Sequence, residues 1–267
     1  MIRQTNFHTH TKRCNHAMGS DEQYVKTAIK NGYEILGFSD HSCWNYKSGF
    51  RPHVRMQLKE FANYKSSILA LKKKYQDKIE LRFGMEAEYF PDMMDWMLDF
   101  CIEEDIDYLI LGNHYYLSDE KGVYFGSCAS QFIPKYFETC IAGMKTGMYA
   151  YLCHPELICR NVYLQWNDVL EEGFHSVCRC AKELDIPLEW NALGMQWNER
   201  MGMEAYPNHR FWQIASQYHN KAIVGMDAHN PSDLGKDIYL RAMDRLSHYD
   251  VEIVEDIGKI DYKKLKQ

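Results

Sequence analysis

The sequence lacks any long apolar segment. No window approaches the ~18 uninterrupted apolar residues that a membrane-spanning helix needs, and no cleavable apolar leader precedes the first polar residues. We therefore expect no membrane partner and a cytoplasmic location.

Cysteine pairs at metal-binding spacing are missing too. The nine cysteines include no Cys-x-x-Cys pair, which argues against a structural zinc site. Their number is odd, and Cys101, Cys140, Cys178 and Cys180 fall in segments that read as helix. We expect free thiols, as in a reducing cytoplasm.

An excess of positive charge is also absent. The net charge is -6, and the one tight basic run is residues 72–74. The protein therefore has no extended positive surface that could bind a phosphate backbone, so we expect no nucleic-acid partner. With 267 residues, 46% apolar and 25% charged, and no linker or internal repeat, we expect residues 1–267 to form one domain.

Short β-rich runs alternate with helical patterns along the whole chain. This alternation predicts a parallel sheet with helical crossovers, either a closed barrel or a doubly wound open sheet. The predicted strands lie near residues 3–8, 34–39, 79–85, 107–112, 149–153, 186–190 and 221–226. The predicted helices lie near residues 20–31, 55–76, 92–104, 131–146, 167–184, 207–219 and 232–247.

Every predicted strand ends in polar residues suited to chemistry. In chain order these are His8 and His10, His41, Glu86, His114, His154, Glu189 with Asn191, and Asp227 with His229. A closed barrel brings all its strand ends to one mouth, whereas an open sheet gathers ligands at one switch point. Contributions from every strand favour the barrel.

Imidazole and carboxylate groups are ligands for Zn, Mn and Fe. Because residues i and i+2 of a strand face the same way, His8 pairs with His10, and Asp227 with His229. These four, with His16, His41, Glu86, His114 and His154, are too many for one ion. Two or three divalent ions are implied, and such a cluster activates water for phosphoryl displacement. Cys14, Cys43 and Cys153 lie beside these residues and are expected to pack.

At these residues the sequence resembles the PHP (polymerase and histidinol phosphatase) family, in particular its stand-alone histidinol-phosphatase branch. The motifs occur in the family's order over nearly the whole chain: HTH (8–10), CNHA (14–17), GFSDH (37–41), GMEAEY (84–89), GNHYY (112–116), CHPEL (153–157) and GMDAH (225–229).

The resemblance implies a distorted (β/α)7 TIM-like barrel with up to three ions at the C-terminal ends of its strands. Matched by motif, His8, His10, Glu86 and Asp227 would hold the first ion. Glu86 would bridge to a second ion held with His114 and His154. The third ion would be held by three histidines: His16, His41 and His229. The implied reaction is hydrolysis of a small phosphate monoester, L-histidinol phosphate, with Glu86, Asp227 and His229 at the reacting centre.

The resemblance also implies arginines that bind the substrate phosphate. Arg160 fits the first position. Where the family tends to place a second basic residue, this chain has Met195-Gln196, and the nearest arginine is Arg200. Asp40 is expected either to orient a histidine or to cap the end of its strand. Four aromatic residues are expected over the mouth: Tyr115, Tyr116, Trp190 and Trp197.

Three alternatives stay open from the sequence. The same site could act on phosphotyrosine or a nucleotide, or the chain could be a catalytically silent metal-binding module. A binuclear amidohydrolase shares the barrel and the HxH strand, but it usually has a lysine after the fourth strand, where this chain has His114.

Overall fold

The computed structural model describes residues 3–266, and within that range the chain alternates short strands with helices. The strands are β1 (Thr5–Asn6), β2 (Ile35–Phe38), β3 (Glu80–Ala87), β4 (Tyr108–Leu111), β5 (Leu188–Asn191), β6 (Lys221–Gly225) and β7 (Glu252–Ile253). The helices are α1 (Asp21–Asn31), α2 (Phe61–Tyr75), α3 (Met94–Glu103), α4 (Ile133–Lys145), α5 (Asp168–Glu183), α6 (Ala192–Met201), α7 (His209–Gln217), α8 (Lys236–Leu246) and α9 (Tyr262–Leu265).

The strands form a distorted TIM-like (β/α)7 barrel, as predicted. All the pairings are parallel, in the orders β1-β2-β3-β4 and β5-β6-β7. Leu152 joins the two sheets, because it pairs with Leu111 at the end of β4 and with Leu188 in β5. Beyond β1 and β6, Thr9 pairs with Ala228 and closes the ring.

The predicted fifth strand, residues 149–153, is the main local difference. It contributes single bridges through Leu152 rather than a regular strand. On one side it faces Pro187, which accepts from the Leu152 N–H but has no N–H to donate in return. At its end, His154 adopts a φ of 29° and turns the chain out of the sheet.

Other elements differ from the sequence prediction, and helix α9 (Tyr262–Leu265) is one that was not predicted. Helix α2 begins at Phe61 rather than near residue 55, because the preceding residues lie as a loop whose Arg55 is buried in an ionic network. Helix α6, directly after β5, and strand β7 were not predicted. Helix α1 agrees with its predicted range: it begins after a capping box of Ser20 and Gln23 and ends at Gly32, where φ is 85°.

The barrel interior has an apolar lower layer and a polar upper layer. A separate buried apolar cluster contains Phe7, Ile35, Tyr108, Ile110, Tyr151, Cys153 and Ile223. Tyr108 crosses it and donates to the carbonyl of Phe7 at 2.9 Å. The histidines and carboxylates therefore lie at the C-terminal mouth. Among the described residues, no helix is both long enough and apolar enough to span a membrane.

Candidate metal centre

Four predicted ligands converge on one point at the barrel mouth. The Nε2 atoms of His8 and His10 lie 3.1 Å apart. Each lies 3.4 Å from Glu86 Oε2, and Asp227 Oδ1 lies 3.4 Å from His8 Nε2 and 3.0 Å from His10 Nε2. Glu86 lies near the end of β3, and the other three residues follow β1 and β6. The closure of the barrel brings these strand ends together.

The other oxygen of Glu86 faces a second pair of imidazoles. Its Oε1 lies 3.0 Å from His154 Nε2 and 3.3 Å from His114 Nε2. One carboxylate thus separates two groups of ligand atoms. Its two oxygens therefore face different imidazole groups.

The three histidines expected to hold a third ion also lie together. The ring centroids of His16 and His229 are 4.7 Å apart. His41 lies 5.4 Å from His16 and 6.4 Å from His229. His41 also reaches Glu86, with Nδ1 at 3.0 Å from Oε2, so this group adjoins the first one.

Several buried atoms of the cluster have no hydrogen-bond partner. Although His41 Nδ1 and Glu86 Oε2 are 3.0 Å apart, both are unpartnered, as is His229 Nε2. Leaving such an atom unpaired costs about 1–3 kcal/mol. Unpaired nitrogen and carboxylate atoms around one space are the donor set of a divalent metal site, so the residues fit the predicted ions.

The charges of the cluster favour a bound cation. Burial would raise the pKa of Glu86, but His114, His41 and His8 hold it well below its usual range. Despite its own burial, Asp227 also has a pKa well below the usual range because of His8 and His10. Burial and the charge of His10 lower the pKa of His229 to about 3. Ionised carboxylates and a neutral imidazole are the forms that bind metals. Neighbouring carboxylates raise the pKa of His8 and of His10 despite their burial, so an ion would displace protons from these two rings.

Hydrogen bonds at Nδ1 turn four of the imidazoles inward. His8 Nδ1 lies 2.7 Å from Glu189 Oε1, and His114 Nδ1 lies 3.1 Å from Glu88 Oε1. His16 and His229 use backbone carbonyls for this purpose, those of Cys14 at 2.8 Å and Asp227 at 2.9 Å. A proton on Nδ1 leaves the Nε2 lone pair free for an ion.

The local backbone around the cluster has unusual conformations and glycines that leave room for the carboxylates. His154 and Asp227 both have positive φ, 29° and 50°, a costly conformation that is found at functional sites. Gly112 has no side chain where a Cβ would lie 2.2 Å from Glu86 Oε1. At Gly225 a Cβ would lie 1.8 Å from Glu189 Oε1.

Asp40 and the nearby cysteines border the cluster. Asp40 Oδ1 accepts from the backbone N–H of His41 at 2.9 Å and lies 3.5 Å from His10 Nδ1. Cys14 has its sulfur within 4.8 Å of ligand atoms of His16 and His229, and Cys153 has a similar position beside His8 and Glu86. Cys43 packs in the main apolar core.

A cavity of about 710 Å³ opens directly above the cluster. Arg160 lines it, donates to the Tyr124 hydroxyl at 3.3 Å, and has its guanidinium 5.6 Å from the centroid of the Trp197 ring. The remaining aromatic wall consists of Tyr115, Tyr163 and Tyr206. The cavity thus combines a metal-type floor, two arginines (Arg55 and Arg160) and aromatic sides.

Three of the residues expected at the mouth lie elsewhere. Arg200 is exposed near the end of α6 and does not line the cavity. Trp190 points away from the barrel interior and packs against Trp212 and Tyr249, at centroid distances of 5.2 and 5.7 Å, because its neighbour Glu189 takes the inward position. Tyr116 packs against Phe132 at 5.8 Å.

Sequence reasoning missed a buried ionic network behind the site. Arg55, 1% exposed, binds Glu88 Oε1 through Nη2 at 2.6 Å and Asp119 Oδ2 through Nε at 2.8 Å. The second carboxylate of the GMEAEY segment was the available signal for Glu88. Tyr124, Tyr163 and Tyr206 were also missed, since they lie in loops or turns without a periodic pattern.

The fold and the cluster define the class of protein: an α/β barrel with a cluster of metal-type ligands at its mouth. Residues 6–191 match the PHP domain, which is more than half of the chain. The protein belongs to the PHP domain family, as its motifs predicted.

Curated relatives and solved structures give the same picture. The chain is 25% identical over 240 residues to "Probable histidinol-phosphatase" of Deinococcus radiodurans, a match that covers 85% of this chain and 87% of the relative. It is 24% identical over 258 residues to "Histidinol-phosphatase" of Bacillus subtilis, covering 85% and 94%.

Among solved structures, histidinol phosphate phosphatase from Lactococcus lactis, complexed with Zn, L-histidinol and phosphate, has a TM-score of 0.69 at 16% identity. That match covers 98% of this chain and 100% of the other. The likeness supports the barrel fold.

Proposed function

We propose that this chain hydrolyses a small phosphate monoester, L-histidinol phosphate, to L-histidinol and phosphate. The observation that carries the proposal is the position of Glu86, whose two oxygens face two separate imidazole groups beneath a cavity that contains Arg160. The names of the relatives give the substrate.

Two or three divalent ions, of Zn, Mn or Fe type, would occupy the mouth. His8, His10, Glu86 and Asp227 would hold the first, and Glu86, His114 and His154 the second. The third would be held by His16, His41 and His229. When bound, such ions neutralise phosphate charge and lower the pKa of water toward neutrality.

Arg160 is the residue that would bind the phosphate from the chain's side. Arginine forms bidentate, charge-assisted hydrogen bonds with phosphate oxygens. Tyr124 and Trp197 hold the guanidinium at the wall, so little side-chain freedom is lost on binding. Arg55, the other arginine in the lining, is already paired with Glu88 and Asp119. One arginine would therefore perform the work that two perform in the family pattern.

Glu86, Asp227 and His229 would form the reacting centre. Asn191 Nδ2 donates to Asp227 Oδ2 at 3.1 Å, which fixes this carboxylate while its Oδ1 faces His10. His229 is neutral, with its unpartnered Nε2 available to ligate. Fixed charges that need no reorganisation are an effective source of transition-state stabilisation.

The aromatic wall would receive the leaving group. Tyr115, Tyr206 and Trp197 line the cavity beside the cluster, and aromatic side chains suit packing against a planar imidazole. Apolar side chains, Val54 and Leu157 among them, complete this side of the cavity. Water is thereby limited at the part of the substrate that does not react.

Phosphate release from a substrate panel tests the proposal. Purified protein supplied with Zn or Mn should release phosphate from L-histidinol phosphate with a higher kcat/KM than from phosphotyrosine or a nucleoside monophosphate. Equal kcat/KM values, or a higher value for another ester, would show that L-histidinol phosphate is not the preferred substrate of this site. Bound metal without turnover of any ester would favour a silent metal-binding module.

Two further assignments accompany this function. We propose that residues 1–267 act as one domain, supported by a main apolar core whose members run from Tyr24 to Tyr262. We also propose a cytoplasmic location, which nine free cysteines support. Arg200, exposed on α6, would reach the phosphate only if its helix moved, so the proposed clamp uses Arg160.

A further inference from the structure

Glu88 lies behind the cluster without belonging to any predicted ligand group. It is 1% exposed, and its Oε1 lies 3.1 Å from His114 Nδ1, on the side of the ring opposite to Glu86. The side chain is therefore a buried acceptor for one imidazole.

Arg55 fixes the position of this carboxylate. Its Nη1 and Nη2 donate to the two oxygens of Glu88 at 3.0 and 2.6 Å, and the indole of Trp44 donates to Oε2 at 3.3 Å. Asp119, after β4, binds the remaining face of the guanidinium at 2.8 Å. Every partner of the Glu88 side chain is thus a donor, and a rigid network of three loops determines where His114 points.

Glu189 has the same relationship to a different histidine. It is fully buried, and its Oε1 lies 2.7 Å from His8 Nδ1. Its Oε2 accepts from the His154 backbone N–H and from Asn191 Nδ2, both at 2.9 Å. His8 faces the Oε2 side of Glu86, whereas His114 faces the Oε1 side.

We propose that Glu88 and Glu189 are positioning residues that each govern one ion of the pair bridged by Glu86. Glu88 holds His114 for the ion on the Oε1 side, and Glu189 holds His8 for the ion on the Oε2 side. Glu189 also binds the backbone N–H of His154, but the rings of His8 and His114 have separate supports, so the two ions can be lost one at a time. This inference rests on the proposed function, because it requires ions on both sides of Glu86.

The hydrogen-bond inventory shows why glutamine cannot replace either residue. In Glu189→Gln, the amide oxygen is needed by the two N–H donors at Oε2, which leaves the NH2 group against His8 Nδ1. That nitrogen must then accept, so the ring proton moves to Nε2, where it blocks metal binding. In Glu88→Gln, the NH2 group can replace Oε1 or Oε2, and in both places it faces an N–H donor of Arg55. At the Oε1 place it also faces His114 Nδ1 and forces the His114 ring proton onto Nε2.

The experiment measures metal retention rather than turnover. Wild-type, Glu88→Gln and Glu189→Gln proteins are loaded with Zn and equilibrated with increasing chelator, and the Zn content per chain is determined. Crystals of partly depleted protein, measured at the Zn absorption edge, show which ion remains. Loss of such a supporting hydrogen bond typically weakens metal affinity by about 10–100-fold.

We expect Glu88→Gln to lose the ion beside His114 and His154 at about 10–100-fold lower chelator activity, while the ion beside His8 and His10 stays at its wild-type affinity. Glu189→Gln should show the opposite order of loss. Asp119→Asn is the matched control: it weakens the same buried arginine network but leaves the contact between Glu88 and His114, so it should retain both ions.

A second variant covers the case in which Glu88→Gln fails to fold. Glu88→Asp keeps the charge for Arg55 but withdraws the carboxylate by one methylene from His114, and it should show the same selective loss. Equal metal loss in Asp119→Asn and in the Glu88 variants would overturn the inference, since the effect would then be structural. Loss of the same ion in the Glu88 and Glu189 variants would also overturn it.

The experiment distinguishes a failure of this inference from a failure of the proposed function. A wild-type protein that binds two ions and releases phosphate, beside variants that retain both ions, would reject this inference and leave the proposed function standing. A wild-type protein without ions at Glu86 would reject both.

Discussion

Gly112→Ala tests the position of Glu86 without altering any predicted ligand. An added Cβ would lie 2.2 Å from Glu86 Oε1 and 2.7 Å from its Cδ. Cβ contacts under 3.0 Å are essentially never seen, so the carboxylate has to withdraw by about 0.8 Å. The backbone of Gly112 is outside the positive φ region, so alanine adds steric volume and no backbone strain.

This displacement affects the residue that both ions share. A misplacement of about 1 Å at a reacting centre can lower the rate about 100-fold, which corresponds to about 2.7 kcal/mol of activation free energy. We expect kcat for phosphate release to fall by about that factor, with weaker Zn retention, while the melting temperature changes by only a few degrees.

The assay compares Gly112→Ala with Gly235→Ala, where the nearest atoms to the new Cβ are at 3.3 Å and no ligand is touched. The control should retain wild-type kcat and Zn content. Wild-type kcat and Zn content in a folded Gly112→Ala protein would refute the bridging role given to Glu86.

Three other perturbations follow from the same structure. Arg160→Ala should raise KM by about 10–100-fold, because a charged hydrogen bond is worth about 1.5–3 kcal/mol, and Arg160→Lys should recover part of this loss; unchanged KM in both would remove Arg160 from the phosphate site. Removal of metal by a chelator should abolish phosphate release and lower Tm, with both restored by Zn or Mn; activity that survives complete removal would reject the metal-dependent reaction. Burial raises the pKa of Glu156 from 4.5 to about 8, so the folded chain keeps a proton that the unfolded chain releases, and stability should decline as pH rises from about 4.5 to 8. Urea midpoints across that range should be flatter for Glu156→Gln, and equal slopes would show that Glu156 titrates normally.

The candidate ligand cluster could be predicted because the geometry of its members is local to each strand end. His8 and His10 face one way by strand alternation, and their Nε2 atoms do lie 3.1 Å apart. The parallel barrel then brings Glu86 and His154 to them from distant parts of the sequence. Alternation would also have predicted that Trp190 turns outward once Glu189 is placed inside.

The support behind the ligands could not be predicted in this way. Arg55, Glu88 and Asp119 belong to three separate segments, and their pairing depends on how loops without periodicity cross the mouth. Charged residues are usually exposed, so sequence alone favoured a solvent position for Arg55. The sequence did not predict helix α6, and so it did not show which residues of that helix face the cavity. In the structure Trp197 lines the cavity and Arg200 does not.

Diffraction from zinc-loaded wild-type crystals at the Zn absorption edge tests the central claim most directly. The account predicts two anomalous peaks on opposite sides of the Glu86 carboxylate, one touching His8, His10 and Asp227, the other touching His114 and His154. Peaks remote from Glu86, or none at full zinc loading, would contradict it.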